Sequence, residues 1–273
     1  GSCGRSATPR PTGERGPSAL PSEHRSARRT PDTPRTVAVG DLLIPLPDGR
    51  MMPAYFSPAA AESAPGVVVV HEIFGVNDDI HDITDEFARR GFHAVAPDLL
   101  GLGNKVRCLV TVARSLSAGE GPAIDAVDAA RRWLAEQPGC TGEIGIAGFC
   151  LGGGFAIVMA NRGFGASAVQ YGRLPKNLDA ALQGSCAMVA SYGGRDGTLA
   201  GVADKLRDGL ERAGVEHDVK EYAEAGHSFM NHSSETAPRW LKPLTGSMNA
   251  GFVDTAAADA WDRITRLFDA ALR

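Results

Sequence analysis

Two kinds of apolar pattern alternate along the chain. Short unbroken apolar runs occur at Gly66–Val70, Phe92–Ala96, Ile144–Ala147, Ala166–Tyr171 and Ala187–Tyr192. Runs of that length without polar alternation suit strands buried on both faces. Between them, apolar residues recur at helical spacing. Pro122–Gln137 is the clearest case, with Ile124, Val127, Ala130, Trp133 and Leu134 on one face. Helices are also predicted over Asp82–Arg90 (ended by Gly91), Leu178–Leu182, Thr198–Ala213 and Asp254–Leu272. His217–Tyr222 reads as a further strand. Leu99–Gly121 is punctuated by glycine, with a short helix predicted inside Val106–Leu116. Within Thr36–Phe56, Leu42–Leu46 and Met51–Phe56 flank Pro47-Asp48-Gly49-Arg50, a turn sequence, so a hairpin is expected there. Strands alternating with helices predict an α/β fold: a mainly parallel sheet, right-handed crossovers and helices on both faces. Ligands of such sheets bind beyond the C-terminal strand ends.

Composition refines this picture at the N-terminus. Residues 1–35 are rich in Pro, Ser and Arg and nearly devoid of aliphatic side chains. They cannot bury enough surface to offset their ordering entropy, so a disordered tail precedes one α/β domain over 36–273. An organelle-targeting leader would show an amphipathic helical pattern, which this tail lacks. The net charge of −4 is uneven: residues 1–36 hold seven Arg against three acids, leaving −8 on the rest. An acidic body argues against a nucleic-acid partner. No apolar run reaches membrane-spanning length. The five cysteines (3, 108, 140, 150, 186) are scattered, odd in number and form no C-x-x-C pair. Neither a disulfide framework nor a metal site is indicated, and a reducing cytoplasm is the simplest compartment.

The chemistry concentrates where strands end. Ile144–Ala147 runs into Gly148-Phe149-Cys150-Leu151-Gly152 and then directly into an apolar helical run. G-x-C-x-G between strand and helix is the pattern of a nucleophile elbow with Cys in place of Ser. Glycines permit the close backbone packing that such a turn needs, and the following helix directs its positive end at the thiol. Alone, the pattern would fit a buried Cys in a Gly-rich turn equally well. Two later segments weigh against that. Ser191-Tyr192-Gly193-Gly194-Arg195-Asp196-Gly197 and Glu224-Ala225-Gly226-His227-Ser228-Phe229 each place an ionisable residue in a glycine-containing loop after a strand. Nucleophile, acid and His follow in the chain order of the α/β hydrolases. Read singly, Asp196 could cap the helix after it and His227 could be an ordinary loop residue. Glu72 and Asp98 also follow strands, so all five residues are expected on one sheet edge. Among the other histidines, His71, next to Glu72, is the nearest rival for the catalytic role.

With HEIFG at 71–75, PDLLG at 97–101, IGIAGFCLGG at 144–153, GGRDG at 193–197 and AGHSF at 225–229, the chain from about Asp41 onward resembles the dienelactone hydrolase family. This is the cysteine branch of the α/β hydrolases. The resemblance implies the α/β-hydrolase fold and a catalytic triad of Cys150, Asp196 and His227. It further implies an oxyanion hole from the backbone N–H groups of Ile73 and Leu151. It implies too that Glu72 interacts with the thiol and modulates its activation. The implied reaction opens a small ester or lactone through a Cys thioester, with no metal or organic cofactor, in a monomer or homodimer. A thioesterase or acyl transferase on the same fold, or a binding protein that keeps the scaffold, are the alternatives.

One departure bears on substrate. Characterised lactonases of the family carry two arginines that bind a substrate carboxylate. One stands just after the segment matching Pro97–Leu100, the other four residues after the catalytic His. Here those positions hold Leu102 and Asn231. Loss of two bidentate clamps predicts a preference for neutral substrates, unless Arg107, Arg173 or Arg239 supplies the charge from elsewhere. Asn231–Val253, with Trp240, Pro243, Met248 and Phe252, leaves two readings open: an apolar wall over the site, or a plain connection to the last helix.

Overall fold

Eight strands form one sheet in a computed structural model that describes residues 38–232 and 247–273. The expected disordered tail lies outside the described residues, as do Arg239, Trp240 and Pro243. The hairpin is present as β1 (Gly40–Pro45) and β2 (Met51–Ser57), closed by Gly49 N–H to Leu46 C=O (3.0 Å) and Leu46 N–H to Arg50 C=O (2.8 Å). The strands that follow are β3 (Ala64–Val70), β4 (His93–Pro97), β5 (Cys140–Phe149), β6 (Ala166–Gln170), β7 (Ala187–Gly193) and β8 (His217–Tyr222). Their spatial order is β1-β2-β4-β3-β5-β6-β7-β8. Pairing from β4 onward is parallel; β2 runs antiparallel to both neighbours. The unbroken apolar run of β3 is buried throughout, as a strand covered on both faces must be.

Seven helices are described: α1 (Asp78–Arg89), α2 (Lys105–Ala118), α3 (Pro122–Ala135), α4 (Leu151–Met159), α5 (Leu178–Leu182), α6 (Val202–Ala213) and α7 (Asp254–Leu272). Opposite faces of the sheet are covered. Gly66 of β3 lies against Ile144 and against Leu134 of α3, whereas Gly145, one residue along from Ile144, lies against Phe268 and Leu272 of α7. Because side chains alternate along a strand, α3 and α7 pack on different faces. Phe87 of α1 joins the α7 layer through edge contact with Trp261 (4.9 Å between centroids) and stacking on Phe268 (6.0 Å).

Strand β5 is longer than expected, starting at Cys140 rather than Ile144, and three helices also differ from the sequence expectation. Helix α1 starts a turn earlier than Asp82, because the Asn77 side chain accepts the Ile80 N–H (3.1 Å) and caps it. Helix α2 is fourteen residues long rather than a short piece, capped by Asn104 and stopped by Gly119 in the left-handed conformation (φ 73°). Helix α6 begins at Val202 rather than Thr198, since the Asp196 carboxylate holds Thr198 in a turn.

Candidate active site

Strand β5 ends at Phe149, and Cys150 turns the chain straight into α4. Cys150 has φ 54° and ψ −109°, a conformation that side-chain-bearing residues rarely adopt. Two glycines make the turn possible. A Cβ on Gly148 would stand 1.9 Å from the Gly152 carbonyl oxygen, and one on Gly152 would stand 2.0 Å from that of Val70. The bend is held by Cys150 N–H to Gln170 C=O and by Gly153 N–H to Cys150 C=O, both 3.0 Å. The half-buried Cys150 thus sits at the N-terminal end of α4, whose first N–H groups carry partial positive charge.

Asp196 follows β7 in a tight turn, and its carboxylate is fully engaged. Oδ1 accepts both the Thr198 N–H (3.0 Å) and the Thr198 hydroxyl (2.6 Å), and Oδ2 accepts His227 Nδ1–H (2.6 Å). Both partners of the last bond are buried. Burial would raise the Asp196 pKa, but the bonds from His227 and Thr198 outweigh it and hold the carboxyl below its usual range. For His227, burial disfavours the imidazolium, yet the Asp196 carboxylate and the Cys150 sulfur raise its pKa to about 10. Nε2, the nitrogen away from Asp196, is buried without a well-aligned hydrogen-bond partner among the described residues. Asp196 at Nδ1 and the Cys150 sulfur both act on the ring. His227 is anchored by its own backbone, N–H to Met248 C=O (2.8 Å), and its ring lies 5.2 Å from that of Tyr171.

The β3 edge supplies the other wall. Glu72 is buried and accepts the Ser228 hydroxyl on Oε1 (2.7 Å); desolvation raises its pKa despite that bond. His227 is close enough to act on it electrostatically. Ile73 and Phe74 are partly open to solvent, at 43% and 49%, and form an apolar lip beside the carboxylate. Among the described residues, neither the Ile73 nor the Leu151 N–H donates a hydrogen bond within the chain. His71 is not a rival base. It is buried; Nε2 accepts the Leu99 N–H (3.0 Å) and Nδ1 donates to Glu72 C=O (2.5 Å), so both nitrogens serve the loops. Burial pushes its pKa down and keeps it neutral. Among the described residues no group of acidic, His and Cys side chains could hold a metal ion, and no helix is long and apolar enough to cross a membrane.

This arrangement of elbow, acid and histidine on one parallel-sheet edge has known counterparts. The sequence profile of the dienelactone hydrolase family matches residues 52–272. The chain belongs to the dienelactone hydrolase family. The carboxymethylenebutenolidase of Pseudomonas putida is 29% identical over 231 residues, covering 79% of this chain and 90% of its own. A carboxymethylenebutenolidase-like protein of Methylorubrum extorquens is 34% identical over 209 residues, covering 70% and 72%. Among solved structures, a dienelactone hydrolase-like promiscuous phosphotriesterase from metagenomic libraries superposes with a TM-score of 0.69 at 23% identity, covering 87% of this chain and 100% of that one. The chain is thus a dienelactone-hydrolase-like hydrolase of ester or lactone bonds on the α/β-hydrolase fold.

The positions that depart from the family's lactonases are occupied in different ways. Leu102 is half-buried and packs against the core. Asn231 is buried, and its Oδ1 accepts the Tyr171 hydroxyl. Arg107 and Arg173 are exposed, and Arg239 lies outside the described residues. Two neighbours of the site, Tyr171 and Ser228, were not singled out from sequence. Both have positive φ (42° and 53°) and both are buried. Tyr171 follows β6 at the same edge, so the strand-end rule that located Glu72 and Cys150 would have found it. Ser228 adjoins His227, a position open to the same attention.

Proposed function

We propose that this dienelactone-hydrolase-type enzyme cleaves neutral esters or lactones through a covalent thioester on Cys150. Cys150 is the nucleophile, His227 the base and Asp196 the residue that orients it. His227 holds the proton given up by the thiol on Nε2, in keeping with its raised pKa, as sulfur attacks the carbonyl carbon. The oxyanion rests on the Ile73 and Leu151 N–H groups. When the C–O bond breaks, the leaving oxygen takes the proton from the imidazolium. Water then attacks the thioester, giving its proton to His227, and the acid departs as sulfur recovers its proton. Glu72, whose pKa burial raises, lies close enough to the imidazole to act on it electrostatically.

The observation that carries this reading is the buried 2.6 Å Asp196–His227 bond, which leaves Nε2 for the cysteine held at the strained elbow. Cys150→Ala should abolish turnover of a neutral p-nitrophenyl ester. One equivalent of iodoacetamide should label Cys150 before the other cysteines and inactivate in step with labelling. Full activity in Cys150→Ala would overturn the assignment. The substrate class rests on Leu102 and Asn231, which offer no cation to a carboxylate.

A further inference from the structure

Strand β8, which leads into the His227 loop, closes one edge of the sheet and pairs with β7 alone among the described residues. It reads His217-Asp218-Val219-Lys220-Glu221-Tyr222, and only Tyr222 is buried. Apolar packing therefore does little to fix where this strand lies. A slip against β7 would carry the His227 loop with it. One buried cation supplies what packing does not. Arg263 of α7 is 5% exposed, and its guanidinium makes five hydrogen bonds to the two strands. Nε donates to Asp218 Oδ2 (2.7 Å). Nη1 donates to the hydroxyls of Ser191 (3.1 Å) and Tyr222 (3.2 Å). Nη2 donates to the C=O groups of Ala190 (3.2 Å) and Asp218 (2.7 Å). The Tyr222 hydroxyl in turn donates to Asp259 of the same helix (2.7 Å).

A planar fork with donors in fixed directions sets position more sharply than a flexible ammonium or an apolar chain can. Ala190 and Ser191 stand opposite Val219 and Lys220 in the β7–β8 register, so the fork grips both strands just before their ends. Asp196 and His227 follow in the loops beyond. Those loops are also tied to each other, Gly194 N–H to Tyr222 C=O (2.8 Å) and Arg195 N–H to Ala225 C=O (2.9 Å). Tyr222 leans on Phe229 (5.1 Å between centroids), Phe229 on Tyr171 (5.5 Å) and Tyr171 on His227 (5.2 Å). Both partners of the 2.6 Å Asp196–His227 bond are thus attached to a frame that Arg263 holds.

From this we infer that Arg263 is a positioning residue for hydrolysis: by clamping β7 to β8 it sets the Asp196–His227 contact on which the base depends. The inference rests on the roles proposed above for Asp196 and His227. A clamp with a structural role alone would move stability and leave the behaviour of the imidazole unchanged.

Arg263→Met keeps the bulk and removes every donor, whereas Arg263→Lys keeps the charge and loses the fork. Both are compared in the full chain with Phe268→Leu, which loosens α7 where it packs on Phe87 and Phe92 rather than on β8. The readouts, taken well below each variant's Tm, are kcat and KM on a neutral p-nitrophenyl ester and the pH dependence of Cys150 alkylation by iodoacetamide. Arg263→Met should lose about ten- to hundredfold in kcat with KM within about twofold, the cost of a misplaced catalytic group. Its alkylation midpoint should rise toward about pH 8.5, that of an ordinary thiol, because a displaced imidazole pairs poorly with the thiolate. Arg263→Lys should fall between Arg263→Met and the unmodified chain in both readouts. Phe268→Leu should lower Tm and leave both unmoved. Should Arg263→Met not fold, Arg263→Lys carries the test by itself. Unmoved kcat and alkylation profiles in the Arg263 variants, or an equal displacement in Phe268→Leu, would overturn the inference alone if Cys150→Ala is inactive. Turnover by Cys150→Ala would overturn the mechanism and the inference together.

Discussion

Replacing Asp196 by Asn should damage catalysis through a proton, not through shape. Oδ1 of Asp196 accepts two donors from Thr198, one of them a backbone N–H that cannot act as an acceptor. In Asp196→Asn the amide oxygen must therefore keep the Oδ1 place. The NH2 group then falls where Oδ2 was, 2.6 Å from His227 Nδ1. Two donors cannot share that contact, so Nδ1 gives up its proton and the ring carries it on Nε2 instead. An Nε2–H cannot accept the thiol proton. The expected loss in kcat/KM is about 10²–10⁴, equivalent to roughly 3–5 kcal/mol of barrier at about 1.4 kcal/mol per decade. The assay is kcat/KM on a neutral p-nitrophenyl ester across pH 5–9, alongside the rate of iodoacetamide alkylation. Asp196→Ala removes the charge without enforcing the wrong tautomer and should be no worse than Asn. An Asn variant within tenfold of wild type, with an unmoved pH profile, would refute the reasoning.

Four further outcomes are expected. Gly148→Ala should lower Tm by about 10 °C or prevent folding, since the added Cβ meets a backbone oxygen at 1.9 Å and overpacking of about 3 kcal/mol shifts a domain this size by that much; thermal denaturation checks it. Because the folded His227 pKa is raised to about 10, its stabilising contribution is complete below about pH 6.5 and declines as pH climbs toward 10, so Tm should fall over that interval and fall less in His227→Gln. Tyr171→Phe keeps the ring against His227 but leaves the buried Asn231 oxygen without its hydroxyl donor, for a cost of about 1–3 kcal/mol in denaturant titration. Leu102→Arg should raise kcat/KM for a carboxylate-bearing lactone relative to a neutral ester by about tenfold or more, one charged hydrogen bond being worth about 1.5–3 kcal/mol; an unchanged ratio would show that residue 102 does not face substrate.

The sheet was legible because buried parallel strands leave an unambiguous trace: Gly66–Val70 and Ala187–Tyr192 could be little else, and both are strands. The elbow was legible because its glycines are dictated by backbone contacts under 2.1 Å, which leave no alternative residue. Helix α2 was underestimated for the opposite reason. With only two buried positions it imposes almost no periodic pattern, and its ends are set by Asn104 and Gly119, signals that carry little weight without an apolar stripe between them. The start of α6 is hidden in the sequence because Thr198 follows Asp196 at a spacing that fits a cap, whereas that carboxylate is divided between Thr198 and His227. The Tyr171–Asn231 bond spans sixty residues of sequence and depends on β6 and the His227 loop converging at one edge, which no local pattern encodes.

The two residues that stand where lactonases of the family carry arginine are not equivalent. Asn231 is buried, and its loop is tied to Tyr171, which itself packs against His227. An arginine there would need space and a counter-charge that the Tyr171 hydroxyl cannot supply, so reversing this substitution alone would disturb the base as well as the binding site. Leu102 is half-buried and makes no hydrogen bond through its side chain, so it can change with little consequence for the His227 loop. Substrate charge preference can therefore drift at residue 102 while the catalytic geometry stays fixed, whereas at residue 231 the two are coupled. That coupling predicts an order for engineering an anionic substrate into this scaffold: Leu102→Arg first, and Asn231→Arg only together with a replacement for the hydroxyl of Tyr171.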